Sequence, residues 1–166
     1  MTDLIHLEKV AEQIHTVRGI RVMLDRDLAT LYGVETKALK QAVRRNIERF
    51  PDDFMFQMTM DEEKSLRSQT VTLKRGAHSK YPPFAFTEQG VAMLSTVLHS
   101  ERAIQVNIQI IRVFTKMRQM LIDHEELRQE MQELRQQTDD RFQIVFETLD
   151  KLLACDDKPK NRIGFF

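Results

Sequence analysis

The chain has 166 residues, and its 25 Lys and Arg equal its 25 Asp and Glu, so the composition argues against indiscriminate binding to nucleic acid through excess charge. The longest uncharged run, residues 89–100, is too short and too polar to span a bilayer. The N-terminus lacks a secretory pattern and there is a single cysteine, so we expect a cytoplasmic protein with no membrane partner.

The first clear pattern is IHTVRGIRVML, residues 14–24, in which two β-branched runs flank Arg18 and Gly19. This arrangement predicts a small β-hairpin. The residues before it are weakly patterned and predict at most a short helix.

The stretch DRDLATLY predicts the first helix of a helix-turn-helix, with Asp25 as its N-cap and with Leu28 and Leu31 buried. Gly33 is expected to form the tight turn, because glycine adopts positive φ without a Cβ clash. Val34 is then expected to plug the turn into the core.

The second helix is expected to run from Thr36 to Arg49, because Pro51 disfavours helix at the residue before it. Its buried face would consist of Leu39, Ala42, Val43, Ile47 and Phe50. The opposite face carries long donors that reach phosphates and base edges, namely Lys37, Lys40, Gln41 and Arg44, with Arg45 beside them. This face predicts a DNA-reading helix; the alternative is an ordinary helical hairpin with a solvated basic face.

Beyond Pro51, the run FMFQM alternates and predicts a strand with Phe54 and Phe56 on its inward face. A short helix should follow, ending near Ser68. The acidic run DEE at its start suits the positive end of the helix dipole.

Residues 71–86, VTLKRGAHSKYPPFAF, place a basic, Gly-containing loop between two apolar edges. They predict a β-hairpin whose tip acts as a wing against the DNA backbone; the alternative is an exposed basic loop with no partner. The residues expected to contact DNA are Thr36, Lys37, Lys40, Gln41, Arg44, Arg45, Arg67, Arg75 and Lys80.

Thr87 is expected to cap a helix over residues 88–98, and Ser100 to cap the next one. Residues 104–110 alternate like a strand, yet they also fit a helical stripe, and no turn signal follows before Thr138. We therefore favour a long helix that is apolar on two sides, covered by its own domain on one side and by another chain on the other.

From residue 113 onward, apolar residues recur at alternating steps of four and three. This heptad seam consists of Val113, Met117, Met120, His124, Leu127, Met131 and Leu134. It predicts a coiled coil that joins copies of the chain through Met117, Met120, Leu127, Met131 and Leu134; the alternative is an amphipathic helix folded back on its own domain. A break or a re-phasing of the apolar pattern is expected at residues 138–140, before a final helix that carries Phe142, Phe146, Leu149 and Leu153.

Charge is distributed unevenly along the chain. Residues 18–80 hold 13 Lys and Arg against 9 Asp and Glu, whereas residues 119–157 hold 4 against 11. We therefore predict three parts: a DNA-binding domain over residues 1–118, an acidic helical extension over 119–154, and a flexible basic tail over 155–166.

Patterns typical of catalysis or metal binding are missing from the sequence. The five histidines stand apart from Cys and carboxylates at ligand spacing, and there is no Gly-rich phosphate loop or nucleophile elbow. Acidic pairs such as Asp52-Asp53 fit turns better than magnesium sites. We therefore expect no enzyme activity, no metal and no cofactor.

Three phrases of the sequence resemble the ORF-six N-terminal DNA-binding domain of phages and bacteria. They are VRGIRVMLDRDLATLYGVETKALKQAVRRNIERFPDDFMFQMT, LRSQ, and PFAFTEQGVAMLSTVLHSERAIQVNIQIIRVF, and the resemblance covers residues 17–117. That domain is similar to the KilA-N and Bro N-terminal domains of phage antirepressors and large DNA viruses. The resemblance implies a compact α+β DNA-binding domain with a prophage-linked regulatory role, although the loop over residues 74–80 lacks the Gly-Gly pair common in the family.

The expected fold is α+β: a compact helix-turn-helix-containing domain with small β-hairpins, followed by a long C-terminal helical, coiled-coil extension. The expected function is that of a sequence-specific transcriptional regulator that binds double-stranded DNA as a homodimer or higher oligomer. Two alternatives stay open. One is an antirepressor that binds a repressor protein through its helical tail, and the other is a metal-dependent nuclease.

Overall fold

The computed structural model describes residues 7–69 and 80–156. In chain order the elements are α1 (Leu7–Glu12), β1 (Ile14–Val17), β2 (Ile20–Leu24), α2 (Asp25–Tyr32), α3 (Thr36–Arg45), a short 3-10 helix (Ile47–Arg49), β3 (Met55–Gln57), α4 (Met60–Gln69), β4 (Phe84–Phe86), α5 (Glu88–Leu98) and α6 (Glu101–Asp156). The chain divides into two compact units, Met1–Arg118 and Gln119–Phe166. The first is an α+β unit, and the second continues the long C-terminal helix, as the sequence predicts for the fold class.

The predicted first hairpin is confirmed. Strands β1 and β2 pair antiparallel up to Val17 opposite Ile20, and Arg18 and Gly19 close the turn with φ values of 54° and 73°. Two successive residues with positive φ are what a two-residue type I′ turn requires, because its twist matches that of the strands.

Strand β4 lies inside the sheet, whose strand order is β1-β2-β4-β3. Phe86 is opposite Met23 of β2 on one edge and opposite Met55 of β3 on the other. Both edges of β4 are therefore occupied. The second strand of the predicted hairpin over residues 71–86 is confirmed as a strand, but its partners are β2 and β3. The alternation of apolar residues indicated a strand there, but it did not indicate which strands would pair with it. The predicted first strand and the tip of that hairpin lie outside the described residues.

Both faces of the sheet are covered. A larger core on one face contains Met23, Phe84 and Phe86 with the buried sides of α2, α3, α5 and the start of α6. A smaller core on the other face contains Leu24 and Ala85 with Leu66 of α4. Neighbouring residues of a strand point to opposite faces, so α3 and α4 pack on opposite sides of the sheet.

Because of this double cover, β3 has no single inward face. Met55 is buried in the larger core, whereas Phe56 is half-buried against the smaller one, and Phe54 is also only half-buried. The prediction that Phe54 and Phe56 are the inward residues is therefore wrong: it assumed a strand with one face in solvent.

The predicted caps of the later helices are confirmed. Thr87 Oγ1 accepts a hydrogen bond from Gly90 N–H at 3.4 Å, and Ser100 Oγ accepts one from Ala103 N–H at 3.1 Å. Helix α4 begins with a reciprocal pair that the sequence analysis did not identify. Glu62 accepts from Thr59 N–H at 2.8 Å while Thr59 Oγ1 accepts from Glu62 N–H at 3.2 Å. This is the capping-box arrangement, which satisfies two otherwise unpaired donors at the start of a helix.

Helix α6 confirms the predicted long helix. Of the two alternatives for residues 138–140, the helix continues through them, so the apolar pattern is re-phased there and no break interrupts it. Thr138 Oγ1 donates to the Leu134 carbonyl at 2.8 Å, so its hydroxyl is satisfied within the helix and the backbone continues. In the first unit, the buried residues of α6 are Ala103, Val106, Asn107, Ile110, Val113 and Phe114. Val113, predicted as the start of the seam, is thus part of the core of its own unit.

The other side of α6 in the first unit is exposed and apolar. Ile104 and Ile108 are 49% and 40% exposed, and they line an open groove of about 350 Å³ together with Ala92 of α5. The sequence predicted a helix that is apolar on two sides. That a second chain covers this side stays a prediction.

Candidate nucleic-acid interface

Helix α2 follows β2 without a linker. Leu24 still pairs with Ala85 in the sheet and stands at the N-cap position, so Asp25 is the first residue of the helix. The prediction of Asp25 as the N-cap is therefore wrong by one residue, because the strand runs directly into the helix. Its carboxylate still accepts from a nearby backbone donor, Arg26 N–H, at 2.7 Å.

The turn of the helix-turn-helix is centred on Gly33, as predicted. Gly33 has φ 71° and ψ 32°, its N–H donates to the Thr30 carbonyl, and the N–H of Val34 donates to the Ala29 carbonyl. These two bonds form a Schellman motif, which ends a helix with a residue in the left-handed region. Val34 is 38% exposed, so the prediction that it plugs the turn into the core is wrong.

The side chain of Arg102 covers the turn. A Cβ on Gly33 would lie 3.1 Å from Arg102 Nε, so both the backbone conformation and the neighbour favour glycine. Close by, Tyr32 Oη donates to Asn107 Oδ1 at 2.5 Å, and both residues are buried. Burial raises the pKa of the Tyr32 phenol well above its ordinary value. These contacts join the turn to α6, and no local pattern in the sequence indicates them.

Helix α3 is shorter than predicted. It ends at Arg45, and a 3-10 helix over Ile47–Arg49 replaces its last turn. Leu39, Val43 and Phe50 are buried as expected, but Ile47 is 54% exposed. The prediction of Ile47 as a core residue assumed that helical spacing continued, and the change of helix type turns its side chain outward.

Most of the predicted reading face is open. Lys37, Gln41, Arg44 and Arg45 are exposed, and Thr36 is half-buried at the start of the helix. Spacings of three and four residues place Lys37, Gln41 and Arg44 on one side of α3. The structure therefore brings together three long polar side chains on the surface of a helix whose other side is anchored in the larger core.

Lys40 differs from its neighbours on this face. Its side chain is 15% exposed, and its Nζ lies 3.0 Å from Oδ2 of the buried Asp25. The same Nζ lies 5.0 Å from the centre of the Phe84 ring, and the guanidinium carbon of Arg44 lies 5.7 Å from that centre. Lys40 is thus engaged within the protein although its helical position matches that of the open residues.

The remaining predicted contacts are more scattered. Arg67 of α4 is paired with the buried Glu63 at 2.6 Å, and Arg26 approaches the same carboxylate at 3.6 Å. Arg67 belongs to a helix on the opposite face of the sheet from α3. Lys80 is exposed, and Arg75 lies outside the described residues.

In the second unit, every described side chain of residues 119–154 is exposed. Of the predicted dimerisation residues, Met117 is half-buried against the larger core of the first unit, whereas Met120, Leu127, Met131 and Leu134 are 56–65% exposed. The helix does not break, so Leu134, Thr138 and Phe142 follow at steps of four on one side. We call the resulting surface the extension stripe: Met120, Leu127, Met131, Leu134, Phe142, Phe146, Leu149 and Leu153.

Within residues 7–69 and 80–156, no three His, Cys, Asp or Glu side chains converge as metal ligands would. No helix in these ranges combines the length and hydropathy of a membrane span.

A family model described as the ORF6N domain matches residues 12–97. The match begins just before the β1–β2 hairpin and ends in α5, so it includes the whole helix-turn-helix and excludes α6. No curated protein and no solved structure matches the chain.

Proposed function

Because this chain belongs to the ORF6N domain family, we propose that it is a sequence-specific double-stranded-DNA-binding protein that regulates transcription as a dimer, in a prophage-linked setting and without enzyme activity. The observation that carries the proposal is the open side of α3. There Lys37, Gln41 and Arg44 are exposed, while the opposite side of the same helix is packed into the larger core. A helix that enters the major groove needs this combination of free donors and fixed support.

The charge of the two units supports the same division of roles. Residues 18–80 carry an excess of basic residues (13 against 9), whereas residues 119–157 are acidic (4 against 11). An acidic helix is repelled by phosphates, so DNA would bind the first unit. Arg67, Arg75 and Lys80 stay predicted backbone contacts, because cations away from the reading helix fix the register on the duplex.

The extension stripe supports association of two chains. Its residues are large, apolar and mostly more than half exposed, and a single chain leaves them in water. A second copy would cover them through knobs-into-holes packing. Two reading helices held in this way would recognise half-sites one helical turn, or a multiple of it, apart.

A second candidate function is that of an antirepressor. The extension also exposes Ile144, Val145 and Leu152, apolar residues that are not part of the extension stripe. A repressor protein could occupy this surface in place of a second copy. Under this alternative, DNA affinity would be incidental.

The test is selection of bound duplexes from random DNA, followed by measurement of affinity against salt. With about six cations each neutralising one phosphate, log K should fall with log salt at a slope of roughly −5.

Gln41→Ala should lose on the order of 1–3 kcal/mol of discrimination at one base position if its contact is bidentate, whereas the exposed Gln89→Ala of α5 should lose none. The same incubation with magnesium should leave the DNA uncut. Absence of binding at low salt would sink the proposal.

A further inference from the structure

The reading helix is attached to the sheet through one buried carboxylate. Asp25 is 2% exposed and receives donors from three elements. Its Oδ1 accepts from Arg26 N–H in α2 at 2.7 Å, and its Oδ2 accepts from Phe84 N–H of β4 at 2.9 Å and lies 3.0 Å from Lys40 Nζ of α3. One side chain therefore joins α2, the inner strand β4 and the reading helix α3.

Lys40 is the counter-charge of that carboxylate. A buried carboxylate that loses its only ionic partner is strongly unfavourable, because the low dielectric of the interior gives it no compensating solvent. Among the described residues, Lys40 is the one cation recorded in an ion pair with Asp25. If Lys40 moved to a DNA phosphate, the Asp25 carboxylate would be left without a compensating charge. The ion pair therefore keeps Lys40 from contacting a phosphate.

The Phe84 ring completes the attachment. It is 8% exposed, its backbone N–H is bound to Asp25, and both Lys40 Nζ and the Arg44 guanidinium lie within 6 Å of its centre. A cation above an aromatic face is attracted by the ring quadrupole. Arg44 is exposed, and the ring orients its guanidinium, which lowers the entropy lost when it binds a base or phosphate.

We propose that Asp25 is a positioning residue for the DNA-reading helix, and that Lys40 is bound to Asp25 and neutralises no DNA phosphate. This inference rests on the proposed function. It divides the basic face of α3 into one internal cation, Lys40, and the open residues Lys37, Gln41, Arg44 and Arg45 that read the duplex.

The salt dependence of DNA binding tests the division, because each neutralised phosphate adds about −0.9 to the slope of log K against log salt. Full-length wild type, Lys37→Met and Lys40→Met are compared on the selected duplex. Lys37→Met should make the slope shallower by about 0.9 for each reading helix on the duplex, or about 1.8 for the proposed dimer, and Lys40→Met should leave it unchanged. A slope that becomes shallower by the same amount in Lys40→Met would overturn the inference alone, whereas a wild type without salt-dependent binding would overturn the proposed function as well.

A neutral double variant covers the case in which Lys40→Met fails to fold. Asp25→Asn with Lys40→Met removes the buried charge together with its partner, so the fold should be retained, as thermal melting would verify. The double variant should keep the wild-type slope and lose discrimination between the selected site and a single-base variant by on the order of tenfold. A folded double variant with full discrimination would overturn the positioning role of Asp25.

Discussion

The two units differ in the burial of their apolar side chains. The first buries them on both faces of a four-stranded sheet, whereas the second exposes every described side chain of residues 119–154, including large ones such as Leu127 and Phe146. Both units contain part of the same helix α6. Helix formation by itself therefore says nothing about burial, and an isolated helix in water gains little stability without packing. The contrast shows that the described part of the first unit packs around its own core, whereas the second unit leaves its apolar side chains in solvent, which is why we propose a partner for it.

The largest expected effect comes from a charge placed on the extension stripe. Met131→Glu should convert a dimer into single chains, because a carboxylate would be buried without a partner in the seam. Loss of the second reading helix should weaken DNA binding on the order of 100-fold, since the two contacts no longer act together. Light scattering coupled to gel filtration gives the mass, and a titration of the selected duplex gives the affinity.

Gln129→Glu is the matched control for this experiment. It adds the same charge two residues away and off the stripe, so mass and affinity should stay at wild-type values. A wild type that is already a single chain at micromolar concentration would contradict the proposal that the extension stripe pairs two chains.

A smaller effect is expected from one methyl group in the first unit. A Cβ on Gly90 would lie 1.9 Å from the carbonyl oxygen of Phe54, which is backbone and cannot rotate away. Gly90→Ala should lower the free energy of unfolding by about 1–3 kcal/mol through overpacking, even though alanine favours a helix by about 1 kcal/mol over glycine. Urea denaturation measures the change. Gln89→Ala, on the exposed side of the same helix, should be neutral or slightly stabilising, and equal stability of the two variants would refute tight packing at this crossing.

The smallest effect concerns acid stability. Hydrogen bonding to Arg18, and then to the backbone of Thr59, lowers the pKa of Glu62 from 4.5 to about 2. A depressed pKa stabilises the fold above pH 4.5, and this contribution is lost as the pH falls from 4.5 towards 2. Arg18→Gln should raise the pKa of Glu62 and flatten the loss of stability in this window. The change should be modest, because the pair is exposed to solvent.

An NMR titration of the Glu62 carboxyl measures this shift directly. Arg118→Gln is the control. It breaks a different exposed ion pair, between Arg118 and Glu88, and should leave the titration of Glu62 unchanged. An unaltered pKa for Glu62 in Arg18→Gln would show that the hydrogen bond between Arg18 and Glu62 does not form in solution.

Features set by neighbours in the sequence could be predicted. The β1–β2 turn, the left-handed Gly33, and the caps at Thr87 and Ser100 each depend on residues a few positions away. Local conformational rules describe such positions well. The open residues of α3 were predicted for the same reason, since helical spacing alone places Lys37, Gln41 and Arg44 on one side.

Features set by distant residues could not be predicted. Lys40 and Gln41 are adjacent in the sequence, yet only Lys40 meets Asp25 and Phe84, because β4 reaches it from the centre of the sheet. The double cover of β3 and the close approach of Gly90 to Phe54 likewise depend on which elements pack together. Ile47 was misplaced because a change from α to 3-10 helix has no strong sequence signal.

The central position of β4 has a consequence for the order of synthesis. A ribosome releases α2 and α3 well before Phe84, whose N–H and ring hold Asp25 and Lys40. Until that strand emerges, β2 lacks its partner on one edge, and the Asp25 carboxylate lacks the hydrogen bond from Phe84 N–H. A nascent chain therefore carries α3 without this support for a time, and the helix-turn-helix acquires its fixed position only when β4 joins the sheet.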